Sequence, residues 1–184
     1  MSDYNTMLRL CLQRDRRAQL EFYMHFYKSV YNSCFRILGN PQEAEDVMQE
    51  TFLKIFDKIE SLHCDESGME RILKRIAINQ SIDLFRKRKI LFTDLNEETD
   101  YPGEETAPEE IELQLEAVHR MMKLLPEGYR MILNLKLVEG LDYEDIASQL
   151  EISSSTVRSQ FTRARQRLIQ LIKEHYSYES LIQG

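Results

Sequence analysis

Apolar residues along this chain recur mainly three and four positions apart, the helical period, with few of the alternating or β-branched runs that mark strands. The pattern predicts an all-α protein. A first helix is expected over about 5–14 and a second over 16–38, with Leu20, Met24, Tyr27, Tyr31, Cys34 and Leu38 on its inward stripe. Gly39, Asn40 and Pro41 then end that helix. Asn40 is placed to cap the next one, with Pro41 in the first turn and Glu43 three residues on. Over 41–60, Ala44, Val47, Met48, Thr51, Ile55 and Ile59 fall on one side of the helical period, and Asp46, Gln49, Glu50, Leu53 and Asp57 on the other. A polar loop at 61–68 leads to a fourth helix over 69–89, with Ile72, Leu73, Ile76, Ala77 and Leu84 inward. Its outer face, Arg71, Lys74, Arg75, Ile78, Ile82 and Phe85, mixes cations with apolar groups, which fits either a solvated basic end with some packing or a surface for phosphate and unstacked bases.

The periodicity breaks at 93–108, where Pro102, Gly103 and Pro108 interrupt an acidic, polar stretch that reads as a flexible linker. Helices are expected again over 109–124, with Ile111, Leu115, Val118 and Met122 on one side, and over 127–138 after Pro126. Two local signals follow. Asp142 is a cap for the helix of YEDIASQL, with Leu141 and Ile146 as the apolar pair across it. Eleven residues later Ser153 is a cap, with Ile152 and Val157 as the matching pair. Two short helices either side of Glu151-Ile152-Ser153 make a helix-turn-helix, although Glu151 stands where such turns often carry glycine. On the second helix Val157, Phe161, Ala164, Leu168, Leu171 and Ile172 form an apolar stripe. Arg158, Ser159, Thr162, Arg163 and Gln166 point away from it, towards the base edges of a major groove. Arg165, Arg167 and Lys173 are better placed for phosphates. A plain amphipathic bundle helix would leave the paired caps and short turn without a purpose.

Charge at first argues against nucleic acid. The 184 residues carry 24 Lys and Arg against 31 Asp and Glu, a net of -7, and phosphate contacts need clustered cations. The acidity is local, however. Residues 96–118 hold nine acids and no Lys or Arg, whereas 1–95 and 119–184 are each +1. Segments 71–89 and 152–173 are +6 and +5. No apolar run approaches a membrane span, the N-terminal residues lack a signal-peptide core, and Cys11, Cys34 and Cys64 have no framework spacing, so a cytoplasmic protein is expected. His63-Cys64-Asp65 has no further ligands at metal-binding spacing, and His25 reads as a packed helix residue. Glu43, Glu45, Asp46 and Glu50 lack the Glu-x-x-His pairs of a bundle metal site. With no phosphate loop or nucleophile elbow either, neither an enzyme site nor a cofactor is expected.

The segments LGNPQEAEDVMQETFLKIFDKI (38–59) and RILKRIAINQSIDLFRKRK (71–89) resemble region 2 of the extracytoplasmic-function sigma factors, in the sigma-70 family. LLPEGYRMILNLKLVEGLDYEDIASQLEISSSTVRSQFTRARQRL (124–168) is similar to their region 4. The resemblance implies two small helical domains, region 2 over 1–92 and region 4 over 109–175, joined by the acidic linker 93–108 and followed by a tail, 176–184. It also implies a promoter-specificity subunit of bacterial RNA polymerase. Asp46, Gln49, Glu50, Leu53 and Asp57 would dock on the coiled coil of the largest polymerase subunit. His63, Asp65, Glu66, Ser67, Arg71, Lys74, Arg75 and Ile78 would bind the -10 element, and Arg158, Ser159, Thr162, Arg163 and Gln166 the -35 element. An anti-sigma factor is an expected partner. The chain departs from the family at Ile72 and Lys74, where a Trp and another aromatic are usual, and it has no Trp. The competing readings are a decoy that titrates an anti-sigma factor, which would dispense with Arg158 and Arg163, and a dimeric helix-turn-helix regulator, which would need a dimer seam in the first half.

Overall fold

A computed structural model describes residues 3–62, 64–88 and 115–182. His63, the expected linker 93–108 and the start of the helix expected at 109 lie outside them. The described residues are helical, without a strand, and form two compact units that divide between Lys87 and Arg88.

The first unit contains α1 (Tyr4–Leu12), α2 (Arg16–Leu38), α3 (Pro41–Lys58), a 3-10 turn (Ile59–Ser61) and α4 (Glu66–Lys87). Side-chain caps mark the boundaries. Asp15 Oδ1 accepts from the Ala18 backbone N–H at 2.8 Å and starts α2. Gly39, with φ at 68°, closes it in the left-handed conformation that glycine adopts freely. Asn40 Oδ1 then accepts from the N–H groups of Gln42 and Glu43, as its position before Pro41 predicts.

The core corrects the stripe expected on α2. Leu20 and Met24 are 61% and 56% exposed, while Phe22, Phe26, Val30, Cys34, Ile37 and Leu38 are buried. Both faces of the first half of α2 are apolar, and the aromatic one wins because each ring removes the larger area from water. Phe22 packs at 4.9 Å from Phe26, 5.5 Å from Phe56 and, edge-on, 6.3 Å from Phe52 (ring centroids). On α4, Ile78, Ile82 and Phe85, expected on the outer face, are buried beside Leu73 and Ala77. A helix of this length between two neighbours buries more than one narrow stripe.

Helix α4 also begins three residues before the expected 69, because Asp65 caps it. The Gly68 N–H donates to Asp65 Oδ1 at 2.8 Å and the Ser67 hydroxyl to Asp65 Oδ2 at 3.1 Å. Two polar contacts clasp α4 to α2: His25 Nε2 lies 2.6 Å from Glu66 Oε1, and the Ser29 hydroxyl donates to Glu70 Oε1.

The second unit contains α5 (Leu115–Leu124), α6 (Glu127–Leu133) running into a wider π turn (Asn134–Val138), α7 (Tyr143–Leu150) and α8 (Ser154–Ile182). Met121, Leu125, Tyr129, Leu133, Ala164, Leu168 and Ile172 form one core cluster. The π turn interrupts the regular helix expected over 127–138, and Leu137 and Val138 at its end are exposed.

Two outcomes test this packing. Phe22→Ala should cost about 3–5 kcal/mol of unfolding free energy, whereas Leu20→Ala should stay within about 0.5 kcal/mol of the parent. Chemical denaturation reads both, and the reverse ranking would restore the other face as the core. Hydrogen bonds from Gly68 and Ser67 hold the Asp65 carboxyl below its ordinary 3.8, and the Ser29 hydroxyl, with Lys74 nearby, holds Glu70 below 4.5. Groups with depressed folded-state values contribute stability that is intact above the ordinary carboxylate range and lost as pH falls through the folded values. Acid unfolding of Asp65→Asn with Glu70→Gln should therefore depend less steeply on pH below that range; an unchanged slope would contradict the contribution of the cap at Asp65 and the clasp at Glu70.

Candidate nucleic-acid and protein-binding surfaces

The outer face of α3 is set by its inner one. Ala44, Val47, Met48, Thr51 and Ile55 are buried, which turns Asp46, Gln49, Glu50, Leu53 and Asp57 to the surface together. Neighbours one turn away along the helix pair with several of them. Gln42 Nε2 donates to Asp46 Oδ1 and Gln49 Nε2 to Glu45 Oε1, both at 3.3 Å, and Lys54 lies 2.8 Å from Glu50. These pairs leave Leu53 at 65% exposure among acids. A leucine within polar groups is the composition of a protein-docking centre with a polar rim.

At the start of α4 the residues expected to meet DNA divide into two sets. Asp65 and Ser67 form the helix cap, and Glu66 is held by His25. A Cβ added at Gly68 would stand 2.8 Å from Asp65 Oδ1 and 2.9 Å from Cys64 Cβ, so the turn needs glycine there. Tyr4 fastens the same turn from α1, its hydroxyl donating to the Cys64 carbonyl oxygen at 3.3 Å. Burial, reinforced by Cys64, pushes the Tyr4 hydroxyl up to about 12, so it stays a neutral donor.

The second set faces outward. Arg71 and Arg75 are exposed one turn apart, and exposed Asn79 continues their line, a residue the sequence reading passed over. Lys74 is half-buried, 3.6 Å from Glu70. Ile78 is only 5% exposed and belongs to the core, which removes it from any DNA-facing set.

In the second unit the helix-turn-helix is built by its caps. Asp142 Oδ1 accepts from the Asp145 N–H at 2.7 Å to start α7. Glu151 ends α7 with φ 55° and ψ 40°, the left-handed turn that a side chain enters at a cost of about 1–2 kcal/mol. Its N–H and that of Ile152 both reach the Ala147 carbonyl oxygen. Ser153 Oγ accepts from the Thr156 N–H at 3.1 Å and starts α8.

With Val157, Ala164, Leu168 and Ile172 buried, α8 exposes Arg158, Ser159, Thr162 and Arg163; Gln166 is half-buried. Ser159 and Thr162 donate their hydroxyl protons to the carbonyl oxygens of Ser155 and Arg158, each at 3.0 Å, leaving oxygen lone pairs outward as acceptors. Arg158 Nη2 donates to Glu144 Oε1 at 2.9 Å, and its guanidinium carbon lies 5.5 Å from the Tyr143 ring centroid. Tyr143 and Glu144, in the first turn of α7, escaped the sequence reading; only the folded turn brings them beside Arg158, fifteen and fourteen positions away.

Among the described residues no group of three or more His, Cys, Asp or Glu side chains is placed to hold a metal ion, and no helix is long and apolar enough to cross a membrane.

Comparison with known proteins matches both units. Residues 22–90 fit the family model for sigma-70 region 2, and residues 115–168 the model for sigma-70 region 4. The ECF RNA polymerase sigma factor SigE of Mycolicibacterium smegmatis is 35% identical over 153 residues, covering 80% of this chain and 59% of that protein. The chain thus spans about three fifths of the length of SigE. The RNA polymerase sigma-H factor of Pseudomonas aeruginosa is 32% identical over 164 residues, covering 83% of this chain and 84% of its own. The sigma factor RpoE solved in complex with the anti-sigma factor NepR from Bartonella quintana has the same fold. Its TM-score is 0.50 at 23% identity, with 83% of this chain and 95% of that chain covered. Carrying regions 2 and 4 in order, the chain belongs to the extracytoplasmic-function group of the sigma-70 family of RNA polymerase sigma factors.

Proposed function

We propose that the chain is a promoter-specificity subunit: it binds core RNA polymerase through the outer face of α3 and directs it to promoters through α4 and α8. The observation that carries this reading is the division of surfaces between the units. One presents Leu53 among Asp46, Gln49, Glu50 and Asp57; the other presents Arg158, Ser159, Thr162 and Arg163 from a capped recognition helix. A protein-docking face and a base-reading face in one chain is what joining an enzyme to a DNA address requires. Polymerase supplies the chemistry, so the chain needs no catalytic group of its own, and it works in the cytoplasm, where that enzyme is.

At the -10 element, outward Arg71 and Arg75, with Asn79, are the groups in place to meet phosphate and base. Asp65, Glu66 and Ser67 serve by fixing the turn from which α4 starts, and His63 is a further candidate contact for the -10 element. Extruding a base costs a few kcal/mol of stacking. With Ile72 and Lys74 where relatives carry aromatic residues, that cost has to be met by polymerase and the turn rather than by a wedge on α4. At the -35 element, Arg158 is the base reader, Ser159 and Thr162 are acceptors for base amino groups, and Arg163 and Gln166 flank them. An anti-sigma factor covering these faces is part of the same reading, supported by the fold relative solved with one.

The docking half has a direct test. Asp46→Ala with Gln49→Ala changes only exposed side chains, so circular dichroism and the unfolding midpoint should stay at parent values. Co-purification with core polymerase should be lost. Normal co-purification of the double variant would remove α3 as the docking face.

A further inference from the structure

Arg158 is held before any DNA arrives. Its Nη2 donates to Glu144 Oε1 at 2.9 Å, and its guanidinium lies against the Tyr143 ring, 5.5 Å from the centroid. That ring is itself fixed from two other sides. Phe161 meets it edge-on at 5.8 Å between centroids, and Lys136 Nζ stands 4.6 Å from its centre while donating to the Leu141 carbonyl oxygen at 3.1 Å. The support therefore runs from the middle of the π turn, through the first turn of α7, to the second turn of α8.

We propose that Glu144 and Tyr143 are positioning residues that set the base specificity of Arg158. The proposal rests on the reading of α8 as the -35 recognition helix. A guanidinium carries five N–H donors in a rigid plane, and a bidentate contact to guanine uses two of them. One donor given to Glu144 and one face laid on Tyr143 leave enough donors to approach a base edge. An arginine free in solution samples many rotamers and loses that freedom on binding. With two partners on another helix, Arg158, its side chain still 59% exposed, has part of that freedom removed in advance.

Glu144 has an opposing effect that makes the idea testable. The first helix of a helix-turn-helix crosses the phosphate backbone, so a carboxylate at its start repels every DNA alike. The carboxylate thus lowers affinity in general while sharpening the choice among sequences. A side chain present only to discourage stray binding would do the first and not the second.

The experiment uses the full chain bound to core polymerase, with a promoter it transcribes and the single base-pair variants across that promoter's -35 element. Discrimination is the ratio of binding to the parent promoter and to each variant. Glu144→Ala should lower discrimination about two- to fivefold at the base pair that Arg158 reads, the range expected for an exposed ion pair. It should raise binding to unrelated DNA. Glu144→Gln keeps an acceptor oxygen and should retain most of the discrimination, and Tyr143→Leu should lower it at the same base pair. In an Arg158→Ala background, Glu144→Ala should change discrimination no further. The proposal is overturned if Glu144→Ala and Glu144→Gln strengthen binding to all sequences equally with discrimination intact, or if Glu144→Ala acts undiminished without Arg158. Arg158→Ala leaving discrimination unchanged would instead overturn the recognition-helix reading, and this proposal with it.

Discussion

The burial of Phe22 among Phe26, Phe52 and Phe56 fixes how α2 and α3 are rotated about their own axes. Everything presented by α3 depends on that rotation. With Phe52 3% exposed and Ile55 1%, Leu53 has to face out, carrying Asp46, Glu50 and Asp57 with it. A slip of one position along α3 would turn the face by about 100° and bury charge instead. The core in this unit is therefore an orienting device as well as a source of stability, and it works through large, stiff rings that tolerate few alternative packings.

In the second unit orientation comes from the backbone. Glu151 enters the left-handed region without being glycine, and the two N–H groups after the helix close on Ala147. Ser153 then begins α8 at once. So short a turn leaves little freedom in the angle between α7 and α8, and that angle brings Glu144 and Tyr143 to Arg158. The strain at Glu151 is offset by the apolar contacts of Ile146, Leu150 and Val157, all buried.

Much of this was legible in the sequence. Caps announce themselves locally, so Asn40, Asp142 and Ser153 were placed from type and position alone, and α2 was bounded at 16–38 as observed. The faces of α3 and α8 were legible because each has one apolar side. On α2, apolar residues surround the first half, and periodicity cannot choose between Leu20 and Phe22. Asp65 entered the -10 set through the resemblance alone, and its capping of α4 went unread because a carboxylate that caps a helix and one that meets a ligand look alike in one dimension. Ile78, expected on the outer face and found buried, shows a related limit: helical neighbours in the sequence do not say how wide the buried face will be. The support of Arg158 by Glu144 and Tyr143 is tertiary, and no local pattern encodes it.

The net charge of -7 gains a physical sense from this division. Cations concentrate at 71–89 and 152–173, the segments proposed to meet DNA, and acids at 96–118 and on the outer face of α3. Such a chain is suited to finding promoters as part of a larger assembly. Run-off transcription with core RNA polymerase, adding this protein to genomic promoter templates, tests that claim most directly. Discrete transcripts should appear from a subset of promoters, and only when the protein is added. Tight binding to core polymerase with no promoter-dependent transcript across those templates would contradict it.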